Sequence, residues 1–158
     1  MGDSPLPDSI TFGECWCRDG LQSIATIVPA EKKLEMLHGM IDAGIPEIEV
    51  TSFSNPKLLP QFGDAVDLLK GIRRDGHNTK FRILMPNMRG WERLEQCIDQ
   101  GYGADKIILM ISSSEAHNTK NFRATHEEAM AQHAAIMKRA HAKGVEIIGC
   151  VGTVYGCA

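Results

Sequence analysis

The sequence lacks the features that define several large classes of protein. No apolar run reaches the ~18 residues that span a bilayer, so a membrane partner is not expected. Basic residues do not exceed acidic ones, since 17 Lys and Arg stand against 20 Asp and Glu. Without a basic excess, a nucleic-acid partner is not expected either. The first eight residues have neither the positive nor the apolar region of a secretory signal, which favours a cytoplasmic location.

Sequence motifs for nucleotides and for clustered metal ligands are also missing. There is no Walker A motif and no GxGxxG, so nothing indicates nucleotide binding. Cys15 and Cys17 form a CxC without a matching second pair, so reduced thiols are expected rather than zinc or disulfides. The histidines form no HxH and no HExxH. His126 and His133 are expected on a helix surface, and only His117 stays a candidate.

The residues that are present predict an alternating α/β protein. Hydrophobic residues make up 43% and charged residues 23%, as in globular domains. Apolar stretches predict strands at 10–16, 46–53, 81–85, 105–112 and 145–151. Helical spacing follows Pro29, Asp64, Asn87 and the capping box Thr125–Glu128. The order βαβαβαβαβ predicts a parallel sheet with right-handed crossovers.

Two architectures fit such a sheet: an open doubly wound fold and a (β/α)8 TIM barrel. The predicted strands start about 34 residues apart, so eight units need about 270 residues, close to the size of a barrel. On that interpretation residues 1–158 form one partial TIM-barrel domain with the first four and a half β/α units.

Polar residues follow the strands, where parallel α/β folds carry their chemistry. Arg18, Asp19 and Gln22 follow the first strand, Glu49 and Ser52 belong to the second, and Asn87 follows the third. A carboxylate, an arginine and neutral hydrogen-bonding groups would suit a divalent cation and an anionic, oxygen-rich substrate.

Each of these residues also has a structural interpretation. Asp19-Gly20 could form only a tight turn, and Arg18 could form a surface ion pair. Glu49 lies between Ile48 and Val50, so it points into the barrel if they point outward. A buried carboxylate needs a partner, and Arg18 is the obvious one. The residues alone leave a structural pair and a catalytic pair equally open.

Several motifs together resemble the 3-hydroxy-3-methylglutaryl-CoA (HMG-CoA) lyase family, from about Ile10 to the last residue. They are RDGLQ at 18–22, EVTSF at 49–53, PK at 56–57, PQFGD at 60–64, MPN at 85–87, SEAHN at 114–118 and KN at 120–121. The resemblance implies a TIM barrel that uses Mg²⁺ or Mn²⁺ to cleave an acyl-CoA substrate, HMG-CoA, to acetyl-CoA and acetoacetate.

The resemblance also implies roles for individual residues. Asp19 would be a metal ligand, Arg18 would stabilise the enolate oxygen, and Glu49 would hold Arg18. Substrate or supporting contacts would come from Gln22, Ser52 and Asn87.

One residue distinguishes the branches of the wider superfamily, and the sequence then departs from the family pattern at two points. Leu21 stands where acyl-transferring synthases carry an acidic residue, which favours the lyase branch. Trp16-Cys17 replaces the usual Gly-Pro before the Arg-Asp pair. The HxH pair, the asparagine and the late catalytic cysteine of the family have no counterpart, and Cys157 matches a different position.

The chain by itself is therefore expected to be inactive. The alternatives are a related hydroxyacyl-CoA lyase or Claisen-type synthase, and a non-catalytic half-barrel module. A homo-oligomer is left open.

Overall fold

A computed structural model of the chain describes residues 6–156, in which five parallel strands alternate with helices. The neighbour order β1-β2-β3-β4-β5 follows the chain, so each strand pairs with the next. This is the first part of a TIM-barrel wall, as predicted. The strands are β1 Gly13–Glu14, β2 Glu47–Ser52, β3 Lys80–Leu84, β4 Lys106–Ser112 and β5 Glu146–Gly152. The helices are α1 Ala30–Asp42, α2 Ala65–Gly71, α3 Met88–Asp99, α4 Glu115–Phe122 and α5 His126–Ala142.

The main hydrophobic core lies between the sheet and the helices. The strand side chains that face it alternate along each strand, as in Ile48 and Val50 of β2 or Ile107 and Leu109 of β4. From the helices come apolar side chains that are at most 3% exposed: Leu37, Ile41, Leu68, Trp91, Leu94, Ile136 and Ala140.

The alternate residues of the strands carry charge on the opposite face of the sheet. Glu47 lies 2.6 Å from Lys106 Nζ and 3.4 Å from Arg82 Nη1, and Glu146 lies 3.3 Å from Lys106 Nζ. These charged residues belong to four of the strands, β2 to β5. Their mutual pairing lets this face, which is the concave inner face of the partial barrel, hold several charges close together.

The first strand is much shorter than predicted. Only Gly13 and Glu14 pair with β2, while Ile10 and Phe12 are exposed. The predicted strand residues Cys15 and Trp16 instead enter a turn, because the Glu14 carboxylate accepts hydrogen bonds from both of their N–H groups. A five-residue π-helical turn, Trp16–Gly20, follows.

The helices agree with the predicted positions, with two corrections. The predicted capping box of α5 is present, with reciprocal hydrogen bonds between Thr125 and Glu128. Helix α4 was not among the predicted elements; the Ser114 hydroxyl accepts from His117 N–H at its start. His133, on α5, is buried with 8% exposure, whereas the sequence predicted it on the helix surface. Within residues 6–156, no helix combines the length and apolar character needed to cross a bilayer.

Candidate active site

The candidate site is built on the π-helical turn that follows β1. The N–H groups of Arg18, Asp19 and Gly20 all point at the carbonyl oxygen of Cys15, at 3.2, 2.8 and 3.4 Å. Cys17, 1% exposed, anchors the turn in the core. Burial raises the pKa of the Cys17 thiol to about 12, so at neutral pH it is a protonated, apolar anchor and not a nucleophile. The backbone that carries Arg18 and Asp19 is therefore held in place by the turn and by Cys17.

Glu49 lies beside this turn, on the concave face of β2. The pairing of β2 with β3 shifts by one residue between Glu49 and Thr51, which is a β-bulge at the site. The Glu49 carboxylate is 3% exposed, and its Oε1 accepts a short hydrogen bond from Arg18 Nε. Its Oε2 lies 3.7 Å from Arg82 Nε. Two guanidinium groups thus compensate one buried carboxylate.

Arg18 connects the buried carboxylate to an exposed one. While Nε of Arg18 bonds to Glu49, its Nη1 donates to Asp19 Oδ1 at 2.7 Å, and Nη1 lies 3.5 Å from Gln22 Oε1. The side chain of Asp19 is 62% exposed, whereas that of Arg18 is 13% exposed. The guanidinium is therefore held in one orientation, with Asp19 and Gln22 next to it at the solvent-facing edge.

The other two predicted contacts make hydrogen bonds to residues outside this cluster. Ser52 is fully buried, and its hydroxyl bonds to that of Ser54 at 2.7 Å. Asn87 caps α3, where its Oδ1 accepts from Gly90 N–H at 3.0 Å. A further group of polar residues lies at the ends of β4 and β5, where Ser112 Oγ and Thr153 Oγ1 are 2.6 Å apart.

Sequence reasoning missed two residues next to the site. Arg82 was not predicted, although its place between Phe81 and Ile83 on β3 puts it on the same face as Glu49. Glu14, which caps the turn, carries no pattern that sets it apart from an ordinary strand residue. The alternation of apolar and charged residues along β3 would have identified Arg82 from the sequence.

Asp19 is the described residue best suited to a hard divalent cation. Its carboxylate is exposed at the edge of the site, next to the amide oxygen of Gln22, and both are oxygen donors of the kind Mg²⁺ prefers. Residues 6–156 contain no group of three or more His, Cys, Asp or Glu side chains that could hold a metal. The cluster fits a cation as one part of a ligand set, and other ligands would complete it.

Comparisons with known proteins agree on one family. Residues 10–157 match the HMGL-like family model. The mitochondrial hydroxymethylglutaryl-CoA lyase of Mus musculus is 35% identical over 153 residues, which are 96% of this chain and 45% of the relative. The chain thus spans about half the length of the curated relatives it matches. The name of the mouse relative places it in mitochondria, and that of a relative from Danio rerio places it in the cytoplasm.

Solved structures give the same result for the fold. The HMG-CoA lyase of Bacillus subtilis superposes with a TM-score of 0.87 at 30% identity, over 98% of this chain and 50% of that one. The HMG-CoA lyase of Acinetobacter baumannii, solved with coenzyme A and 3-methylmalate, gives 0.80 at 32% identity, over 92% and 45%.

Proposed function

The chain belongs to the HMGL-like family, and on that premise we propose that it supplies one part of the active site of a carbon–carbon lyase acting on HMG-CoA. The products would be acetyl-CoA and acetoacetate. The observation that carries the proposal is the Arg18 guanidinium, held by the buried Glu49 carboxylate and placed beside the exposed Asp19.

The proposed reaction needs a fixed positive group where negative charge develops. The tertiary hydroxyl of the substrate loses a proton, the adjacent C–C bond breaks, and its electron pair passes to the thioester to give the enolate of acetyl-CoA. That enolate then takes up a proton. Arg18 would stabilise the enolate oxygen through its N–H groups, and Glu49 would keep the guanidinium in place as the charge forms.

Asp19 would act near the tertiary hydroxyl of the substrate, where the proton is lost. The chemistry that a divalent cation such as Mg²⁺ or Mn²⁺ would supply there is Lewis acidity, which would favour loss of the proton from the substrate hydroxyl. Asp19 would be one of the ligands of the cation, and Gln22, whose Oε1 lies 3.5 Å from Arg18 Nη1, would contact the substrate beside Arg18. Because Arg18 donates to Asp19, the proposed metal ligand and the proposed enolate partner are fixed relative to each other.

The acyl-CoA class of the substrate and the cytoplasmic location are part of the same proposal. The Acinetobacter relative binds coenzyme A, which supports an acyl-CoA thioester. Ser52 and Asn87 are proposed substrate contacts, but each now hydrogen-bonds within the protein. Ser52 would have to exchange its Ser54 bond for one to the substrate.

A turnover assay of the complete gene product with HMG-CoA and Mn²⁺ tests the proposal. We expect formation of acetoacetate, lost by about 100-fold or more in both Arg18→Gln and Asp19→Asn, because each removes one charged group at the reacting atoms. The matched control is Arg139→Gln, which removes a partly exposed arginine paired with Glu95 between α5 and α3. Equal loss in all three variants, or no turnover of HMG-CoA, would contradict it. Cleavage of a different hydroxyacyl-CoA would keep the lyase class and replace the substrate.

A non-catalytic half-barrel module is the second candidate, because Asp19 is the only exposed carboxylate that the described residues place beside Arg18. It predicts a complete gene product without turnover, and a metal titration in which Asp19→Asn changes nothing. Weaker Mn²⁺ binding in Asp19→Asn would rule it out.

A further inference from the structure

A lysine outside the proposed reaction centre is buried in an unusual setting. Lys33, on the sheet-facing side of α1, is 1% exposed. Its ammonium group donates to Gln61 O at 2.5 Å and to the two carboxylate oxygens of Asp64 at 3.0 and 2.8 Å. A lysine ammonium has three hydrogens, so these three acceptors use its full donor capacity.

The partners of Lys33 lie on the segment that follows β2, and they reach the segment that follows β1. Asp64 precedes α2 directly, and Gln61 belongs to the short 3₁₀ turn Pro60–Phe62 before it. The Gln61 side chain donates from Nε2 to the carbonyl oxygen of Ile24 at 2.9 Å. Ile24 follows the turn with Arg18 and Asp19 by only a few residues. Lys33 is thus the junction of α1 and the two loops that leave β1 and β2.

The junction is connected to the turn through Gln61, whose bond to Ile24 ties the loop after β2 to the segment that follows Arg18 and Asp19. The Arg18–Glu49 bond is a second and separate connection between the turn and β2.

We propose that Lys33 is a positioning residue, which holds the turn carrying Arg18 and Asp19 against the loop after β2. The inference rests on the proposed function for its catalytic consequence, but not for its structural one. Methionine has a similar length and would fill the same core volume, but it would leave the Asp64 carboxylate without its cation, which lowers stability. The test therefore needs an internal control that reports a general loss of stability. What only the ammonium can do is bind three acceptors on the loop after β2, the loop whose Gln61 side chain in turn bonds to Ile24.

The reactivity of Cys17 measures the position of the turn directly. In a Cys15→Ser background, the tryptic peptide that ends at Arg18 contains Cys17 alone, and the peptide 94–106 contains Cys97. Both thiols are buried, at 1% and 2% exposure. We expect Lys33→Met in the complete gene product to raise the iodoacetamide labelling rate of Cys17 about tenfold or more, with Cys97 unchanged, because local opening exposes only the segment that loses its anchor.

Two further variants separate positioning from general damage. Gln61→Leu keeps the Lys33–Asp64 pair and removes only the bond to Ile24, so it should raise Cys17 labelling by a smaller factor. Arg139→Met removes another pair between elements and should leave Cys17 unchanged. A parallel rise at Cys17 and Cys97 in Lys33→Met, or no rise at Cys17, would overturn the proposal.

Kinetics supply the second readout. Lys33→Met should lower kcat for HMG-CoA while KM stays within about twofold, because the misplaced groups act on the reacting atoms rather than on thioester binding. An unchanged kcat would overturn the positioning role even if Cys17 labelling rises. Labelling needs no turnover, so an inactive parent protein would refute the proposed function and leave the labelling result to decide this inference separately.

Discussion

At the scale of single residues, the site contrasts a buried ion pair with an exposed one that shares the same arginine. The Arg18–Glu49 pair is largely withdrawn from water, whereas Asp19 is 62% exposed. Removing one member of a buried pair leaves an uncompensated charge, while exposed pairs contribute little to stability. A change at Arg18 should therefore lower the stability of the fold, whereas a change at the adjacent Asp19 should leave the stability almost unchanged.

We expect Arg18→Met to lower the free energy of unfolding by about 3 kcal/mol, because Glu49 keeps only Arg82, at 3.7 Å. Asp19→Asn should change it by less than about 1 kcal/mol. Urea unfolding of the two variants checks this. Similar losses in both would mean that the Glu49 carboxylate is not compensated mainly by Arg18.

His133 gives the second prediction at this scale. Burial lowers the pKa of its imidazole below the ordinary value near 6.5, because the charged form is poorly solvated on the buried face of α5. The unfolded chain then binds the proton more readily than the folded one. Stability from His133 is therefore complete above pH 6.5 and falls as the pH drops from there towards the lower pKa of the folded state.

Comparing unfolding free energies at pH 7.5 and pH 5.5 tests this. The wild-type difference between the two pH values should shrink in His133→Gln. His141, exposed near the end of the same helix, supplies the control variant His141→Gln, which should keep the wild-type difference. A pH dependence that is identical in all three proteins would refute the role of His133.

At the scale of elements, the contact between α3 and the end of β2 depends on Gly90, and Gly39 serves as the comparison. A Cβ on Gly90, in the first turn of α3, would lie 3.0 Å from Phe53 O and from Met85 Sδ. A Cβ on Gly39, in α1, would meet nothing within 4 Å. The absence of a side chain at Gly90 is what lets α3 approach the end of β2.

We expect Gly90→Ala to destabilise the protein by about 1–3 kcal/mol, because a helix and a strand end must move apart. Gly39→Ala should stabilise it by about 0.5–1 kcal/mol, since alanine is the better helix former and nothing opposes it. Thermal unfolding of both variants gives the comparison. A stabilising effect of Gly90→Ala would show that the contact with Phe53 is not tight.

The elements themselves could be predicted from sequence because their signals are local. Helical periodicity, the glycine after α1 and the Thr125–Glu128 capping box lie within a few residues of the ends they define. The pairing of Arg18 with Glu49 also followed, from the cost of a buried carboxylate. The Lys33–Asp64 pair did not follow, because it depends on which distant segments meet. The shortened β1 did not follow either, because it depends on hydrogen bonds to the Glu14 side chain that no short pattern encodes.

At the scale of the whole molecule, the described sheet has two unpaired edges. β1 and β5 are the outermost strands of the order β1-β2-β3-β4-β5, and Val151, Val154 and Tyr155 near the β5 edge are more than half exposed. In the Bacillus subtilis lyase, the matching residues make up half of a longer chain. An open strand edge with apolar side chains is a template for further strand pairing.

We therefore expect the 158-residue chain to associate as its concentration rises, which sedimentation velocity would detect as a growing mean mass. Val151→Lys should weaken the association, because a charge beside the β5 edge disfavours pairing of that edge with another strand. Met130→Lys, which places the same charge at an apolar residue of similar exposure on α5, should leave it unchanged. If the chain stays monomeric at every concentration, or if both lysine variants weaken association equally, pairing at the β5 edge is not its cause.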